Sequence, residues 1–96
     1  LLDHTKTQVV LIHLDGSQIS DLRPLAKLTA LRHLNLQPIS ESKGLITSLE
    51  PLRQLPLDFI DVSCHELLND IGPFETLPLV SVNLTATKVS DLTPLR

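Results

Sequence analysis

Apolar residues recur along the chain in triplets of the form L-x-x-L-x-L, where x is any residue. The last three positions of this six-residue pattern are apolar, polar and apolar, an alternation that is typical of a strand with one buried face. The triplets begin 22, 26 and 22 residues apart. They are Val9, Ile12 and Leu14; Leu31, Leu34 and Leu36; Leu57, Ile60 and Val62; and Leu79, Val82 and Leu84. The pattern therefore predicts four short strands, one in each of four repeats.

A second phrase follows each triplet: an apolar residue, a polar pair such as Ser-Asp, then Leu, any residue, Pro and Leu. It is clearest at 19–25 and 89–95 and weaker at 46–52 and 68–74. Ser and Asp favour the start of a helix, and Pro has no N–H to donate, which suits a first helical turn. The phrase predicts a short helical or 3₁₀ turn in each repeat. Its expected N-caps are Ser20 or Asp21, and Ser90 or Asp91.

One such unit cannot bury its apolar side alone, but stacked units can, with their strands side by side in the same direction. We therefore predict a solenoid with a parallel sheet, formed by a single domain over residues 1–96. The second repeat is longer, with loop-forming residues between Gln37 and Gly44. The expected repeats are about 9–30, 31–56, 57–78 and 79–96, with 1–8 as the tail of a preceding repeat.

The triplet followed by S-D-L-x-P-L resembles the 22-residue class of bacterial, internalin-like leucine-rich repeats, over residues 9–96. The resemblance implies an α/β right-handed coil with a parallel sheet on the concave face and short helical or 3₁₀ turns on the convex face. The family usually has Asn after the strand, bonded to the neighbouring turn. Here that slot holds Ser17 and Thr87, with no clear equivalent in the second and third repeats. No capping unit is visible, so we expect a fragment of a longer array, able to self-associate through uncapped ends.

Composition narrows the class of protein. Leucine accounts for 22 of 96 residues, with two Phe and no Trp, Tyr or Met, so Leu, Ile and Val must build the core. Acidic residues outnumber basic ones and stacking aromatics are scarce, which argues against nucleic-acid binding. No apolar run is long enough to cross a membrane, and the single cysteine, Cys64, excludes a disulfide framework. Nothing in these residues predicts a compartment.

Motifs for chemistry are missing from the sequence. There is no H-E-x-x-H, C-x-x-C, P-loop or G-x-S-x-G. His13 and His33 are expected on neighbouring strands but two positions out of register. Cys64 and His65 are adjacent, so their side chains point in opposite directions and form no dyad, and Cys64 is expected to be buried at the turn. We therefore predict no catalytic residues, no metal site and no cofactor, and a chain that is not an enzyme.

The resemblance places the usual ligand face on the outward side of the sheet. Strand alternation arranges the outward positions in three columns across the repeats. The first column is Leu11, His33, Phe59 and Ser81; the second is His13, Asn35, Asp61 and Asn83; and the third is Asp15, Gln37, Ser63 and Thr85. The second column is entirely polar, whereas the first holds the only aromatic candidate of this face. These twelve residues are the predicted partner-binding surface for a protein, peptide or glycan.

Size limits what this surface can bind. Four strands about 4.8 Å apart make a platform of about 340 Å² in projection, against about 800 Å² per partner in a standard interface. The segment is expected to bind weakly or as part of a longer array. The alternative function is a regulatory or sensor segment of a larger bacterial signalling enzyme, such as a serine/threonine protein kinase. That alternative rests on the Leu-Pro-Leu junctions at 55–57 and 77–79, which resemble repeats in such multidomain proteins. A third alternative is a spacer without binding of its own.

Overall fold

The computed structural model describes residues 11–15, 19–38 and 44–95. Strands alternate with 3₁₀ helices along this part of the chain. The strands are β1 (Leu11–His13), β2 (His33–Asn35), β3 (Phe59–Asp61) and β4 (Ser81–Asn83). The 3₁₀ helices are Arg23–Lys27, Glu50–Leu52, Gly72–Thr76 and Thr93–Leu95. The predicted α/β solenoid, with one strand and one short helical turn in each repeat, is confirmed.

The four strands form one parallel sheet in the order β1-β2-β3-β4. The central residues of the strands pair in register across the sheet, as the triplets predicted. They are the inward residues Ile12, Leu34, Ile60 and Val82. Backbone hydrogen bonds continue past the strand ends, and one of them joins the Leu36 N–H to the Asp61 carbonyl oxygen at 2.8 Å. Each repeat is thus held to the next by backbone pairing, and the columns of outward residues follow from this register.

The core lies between the sheet and the 3₁₀ helices. Leu34 and Ile60, in the two middle strands, are completely buried, whereas Ile12 and Val82 in the outer strands are only partly buried. An outer strand has a neighbouring repeat on one side only among the described residues, so its inward side chains remain partly exposed. Leucine, isoleucine and valine supply the buried core except for Phe74, which replaces the usual leucine in the third 3₁₀ helix.

Each 3₁₀ helix begins with the same side-chain hydrogen bond. An oxygen of Asp or Ser accepts the backbone N–H two residues later, which belongs to the first residue of the helix. The bonds run from Arg23 to Asp21 (3.0 Å), Glu50 to Ser48 (3.3 Å), Gly72 to Asp70 (2.8 Å) and Thr93 to Asp91 (2.9 Å). Proline is the second helical residue, as predicted. The predicted N-cap of the first helix, Ser20 or Asp21, is wrong, because the N-cap residue is Leu22, which makes no side-chain bond.

Asp21 also forms an ion pair with Arg23, whose guanidinium lies 2.7 Å from the Asp21 carboxylate. This side-chain bond, together with the Arg23 backbone N–H, lowers the pKa of Asp21 to about 2. We expect Arg23→Ala to raise the pKa of Asp21, as measured by a carboxyl NMR titration. An unchanged pKa would contradict this. The unfolded pKa of Asp is about 3.9, so any stabilisation by the carboxylate is complete above that pH and is lost as the pH falls toward the folded value.

The turn after the strand requires a left-handed residue. Cys64 has φ of 66° and Ala86 has φ of 59°, and each lies two positions after the last inward residue of its triplet. In the second repeat, the residue two positions after the last inward residue, Leu36, is Pro38, whose ring holds φ at about −65°. The second repeat therefore cannot make this turn, which accounts for its different length there. Cys64 is half-buried at this turn, so the prediction that it is buried is wrong.

Candidate functional site

The first column is an aromatic and apolar stripe on the outward face of the sheet. The register places Leu11 opposite His33, His33 opposite Phe59, and Phe59 opposite Ser81, as predicted. The rings of His33 and Phe59 stack with their centroids 4.0 Å apart and an interplanar angle of 18°. Neighbouring strands are about 4.8 Å apart, so two rings in register fall naturally at stacking distance. Leu11 remains 60% exposed beside the pair.

The second column has a structural role that the sequence analysis did not anticipate. The side-chain oxygens of Asn35, Asp61 and Asn83 each accept the backbone N–H of the residue two positions later, at 2.9–3.0 Å. These bonds turn the chain at the ends of β2, β3 and β4, in the manner of an Asx turn. Polar residues recur in this column because the turn needs an acceptor, so their polarity is not by itself a sign of a ligand.

Asp61 and Ser63 are less accessible than predicted. The Asp61 Oδ1 atom accepts both the Ser63 N–H at 2.9 Å and the Ser63 hydroxyl at 2.7 Å. Ser63 is 2% exposed and Asp61 is 7% exposed. The expectation that Ser63 is accessible to a partner is wrong, because its hydroxyl bonds back to the Asp61 carboxylate and its side chain is buried. Among the other residues of the third column, Gln37 and Thr85 are exposed and Asp15 is half-buried.

His65 joins two repeats from a completely buried position. Its Nδ1 atom accepts the Ile46 N–H at 3.2 Å, so Nε2 carries the hydrogen and donates to the Leu36 carbonyl oxygen at 2.7 Å. His65 lies three residues after Val62, as Thr87 does after Leu84, so it occupies the slot where the family usually has Asn. The expectation that the third repeat has no residue in this slot is wrong. The spacing of three residues after Val62 is the sequence signal that identifies His65.

The length of the side chain in this slot decides what it can reach. The Thr87 hydroxyl donates to the Leu84 carbonyl oxygen at 2.7 Å, within its own repeat. The longer imidazole of His65 reaches the preceding repeat and bonds both flanks of its longer loop. Ser17 and residues 39–43, which include the equivalent position of the second repeat, lie outside the described residues.

Gly44 also takes part in the contact between His65 and the preceding repeat. Its N–H donates to the Cys64 carbonyl oxygen at 2.9 Å. A Cβ atom on Gly44 would lie 2.0 Å from Nδ1 of His65, well inside van der Waals contact. Only glycine can bring the backbone this close to the imidazole.

Metal-binding clusters and membrane-spanning helices are absent from the described part of the chain. Within 11–15, 19–38 and 44–95, no group of three His, Cys, Asp or Glu side chains could hold a metal ion. His13 and His33 are two positions out of register, as expected. No helix in those ranges is long and apolar enough to span a bilayer.

Comparison with known proteins gives a clear structural match. No family model matches the chain, and no curated protein matches it. The crystal structure of internalin C2 from Listeria monocytogenes superposes with a TM-score of 0.72 at 33% identity, covering 86% of this chain and 35% of that one. Internalin F from the same organism gives 0.67 at 28% identity, covering 80% of this chain and 22% of that one. This chain thus spans about a third or less of either internalin. It is a leucine-rich repeat protein of the internalin-like class.

Proposed function

We propose that this chain is a noncatalytic recognition module that binds a protein or peptide through the outward face of its sheet. The observation that carries the proposal is the stacked His33–Phe59 pair beside the exposed Leu11. Exposed aromatic and apolar groups on an otherwise polar sheet are candidate anchors for a partner. The likeness to internalins supports a role in protein interaction.

Within the proposed surface, the residues have different roles. Leu11, His33 and Phe59 form its apolar part, because they expose apolar or aromatic area. The exposed residues His13, Ser81, Gln37 and Thr85 form a polar rim, which favours complementarity more than affinity. Asn35, Asp61 and Asn83 each commit one oxygen to a turn, so they offer a partner only their remaining polar atoms.

The surface of this segment is small. Its area of about 340 Å² is less than half of the 800 Å² or so that each partner contributes to a standard interface. We therefore expect weak binding by this chain alone. No observation favours the alternative of a segment of a signalling kinase. The single domain over 1–96 and the expected self-association stay predictions.

The test is a double substitution in the first column. We expect His33→Ala with Phe59→Ala to weaken the binding of peptides, selected from a random library on the unmodified chain, by about tenfold or more, since aromatic truncation at an interface centre commonly costs above 1 kcal/mol. The affinities are measured by titration calorimetry. Both side chains are only partly buried, so the thermal melt should stay cooperative.

Leu67→Ala is the matched control. Leu67 is 58% exposed and lies outside the strands, so its truncation removes apolar surface without touching the sheet face. Unchanged affinity in the double variant, together with weakened affinity in Leu67→Ala, would show that the partner binds elsewhere.

A further inference from the structure

The Phe59 ring has one covered face and one open face. His33 stacks on the side of β2. On the side of β4, the residue in register is Ser81, which is exposed and has no ring to continue the stack. The aromatic stack therefore ends at Phe59, where the neighbouring side chain is a small, exposed serine.

Asp61 lies two residues after Phe59 on the same face of β3. Its Oδ1 atom accepts two hydrogen bonds from Ser63, which hold the carboxylate in one orientation. Its Oδ2 atom accepts no hydrogen bond within the described residues, and no buried oxygen among them lacks a partner, so Oδ2 reaches the surface. Asp61 is only 7% exposed, so this oxygen has a small accessible area, and a carboxylate oxygen held in place there can accept from a charged donor.

We propose that Phe59, Ser81 and Asp61 form an arginine-binding slot: a guanidinium from a protein partner stacks on the open face of Phe59 and donates to Oδ2 of Asp61. This rests on the proposed function, since it names the side chain that the same face recognises. Guanidinium is planar, stacks on aromatic rings and carries only donors, which matches a slot with a ring face and acceptor oxygens. Lysine can pair with the carboxylate but has no plane to stack.

The charge of the face agrees with a cationic ligand. The three columns contain the carboxylates Asp15 and Asp61 and no lysine or arginine, and the whole chain has a net charge of −3. An arginine would thus enter a surface without a competing basic side chain in these columns.

The experiment compares two capped tripeptides, Gly-Arg-Gly and Gly-citrulline-Gly, in NMR titrations of the 96-residue chain. Citrulline has nearly the shape of arginine but no charge. We expect the arginine peptide to shift the amide signals of Phe59, Asp61 and Ser81 and to bind about tenfold more tightly than the citrulline peptide. Asp61→Asn keeps the acceptor for Ser63 and should remove this preference, and Phe59→Leu should weaken binding of the arginine peptide several-fold.

Glu75→Gln is the charge-matched control, because it also removes one negative charge but changes an exposed side chain of the third 3₁₀ helix, away from the sheet face. Equal binding of the two peptides, or an unchanged preference in Asp61→Asn with its fold intact, would overturn the slot. If Asp61→Asn does not fold, Phe59→Leu and the citrulline comparison still decide. A library peptide that loses affinity in the His33/Phe59 double variant but not in Asp61→Asn would overturn the slot and leave the proposed function standing.

Discussion

Replacing Leu34 with aspartate is expected to unfold the chain. Leu34 is completely buried, between Ile12 of β1 and Ile60 of β3 in the register of the sheet. A carboxylate at this position would lie in the apolar core, where leucine, isoleucine and valine offer no charged partner. The expected loss is above about 4 kcal/mol, a large share of the roughly 5–15 kcal/mol that holds a typical domain together. Circular dichroism should show no cooperative thermal transition.

The same substitution at Leu67 is the matched control. Leu67 is 58% exposed, so Leu67→Asp should melt close to the unmodified chain. Leu34→Ala leaves a cavity without a charge and should lose about 2–5 kcal/mol. If Leu34→Asp keeps the native melting curve, the assignment of inward residues to the strands is wrong.

The second large effect is expected from His65→Ala. The change leaves the Leu36 carbonyl and the Ile46 N–H without their partner inside a buried region, and it also leaves a void the size of an imidazole. An unsatisfied buried group costs about 1–3 kcal/mol, so the free energy of unfolding should fall by about 3 kcal/mol or more. Urea denaturation measures this loss. His13→Ala, at an exposed histidine, should change it by less than about 0.5 kcal/mol.

Gly44 makes the role of His65 testable by coupling. Gly44→Ala alone places a methyl group against the imidazole and should be strongly destabilising. In the His65→Ala background the ring is gone, so the added cost of Gly44→Ala should fall clearly below its cost in the unmodified chain. Additive costs would mean that the two residues are not in contact. NMR of the imidazole nitrogens should also show hydrogen on Nε2 and none on Nδ1.

The register of the sheet could be predicted because the repeat spacing leaves few ways to stack the strands. Once Ile12, Leu34, Ile60 and Val82 are aligned as inward residues, their neighbours fall into the observed columns. The stacking of His33 on Phe59 could not be predicted, because ring orientation depends on rotamers that the repeat spacing does not specify.

The sites that were mispredicted share one physical origin. Ser63, Cys64 and His65 follow β3, where the chain turns through a left-handed residue and strand alternation no longer applies. Whether a side chain there is buried depends on the backbone of the preceding repeat. For His65, that backbone belongs to Leu36 and Ile46, which lie 29 and 19 residues away in sequence.

The sequence by itself determined the repeats, the strands, the parallel stacking and the outward columns, because burial of leucine at a fixed period allows only one arrangement of the units. The tertiary structure alone decided which polar residues serve the fold. Asp61, Ser63 and His65 are polar in the sequence, yet each is nearly or completely buried, because Ser63 bonds back to Asp61 at the turn and His65 reaches the backbone of the preceding repeat. Strand alternation already places Phe59 and Asp61 on one face, but only the folded structure shows that His33 stacks on the Phe59 ring and that Ser63 holds the Asp61 carboxylate, because residue order does not specify rotamers or hydrogen-bond geometry.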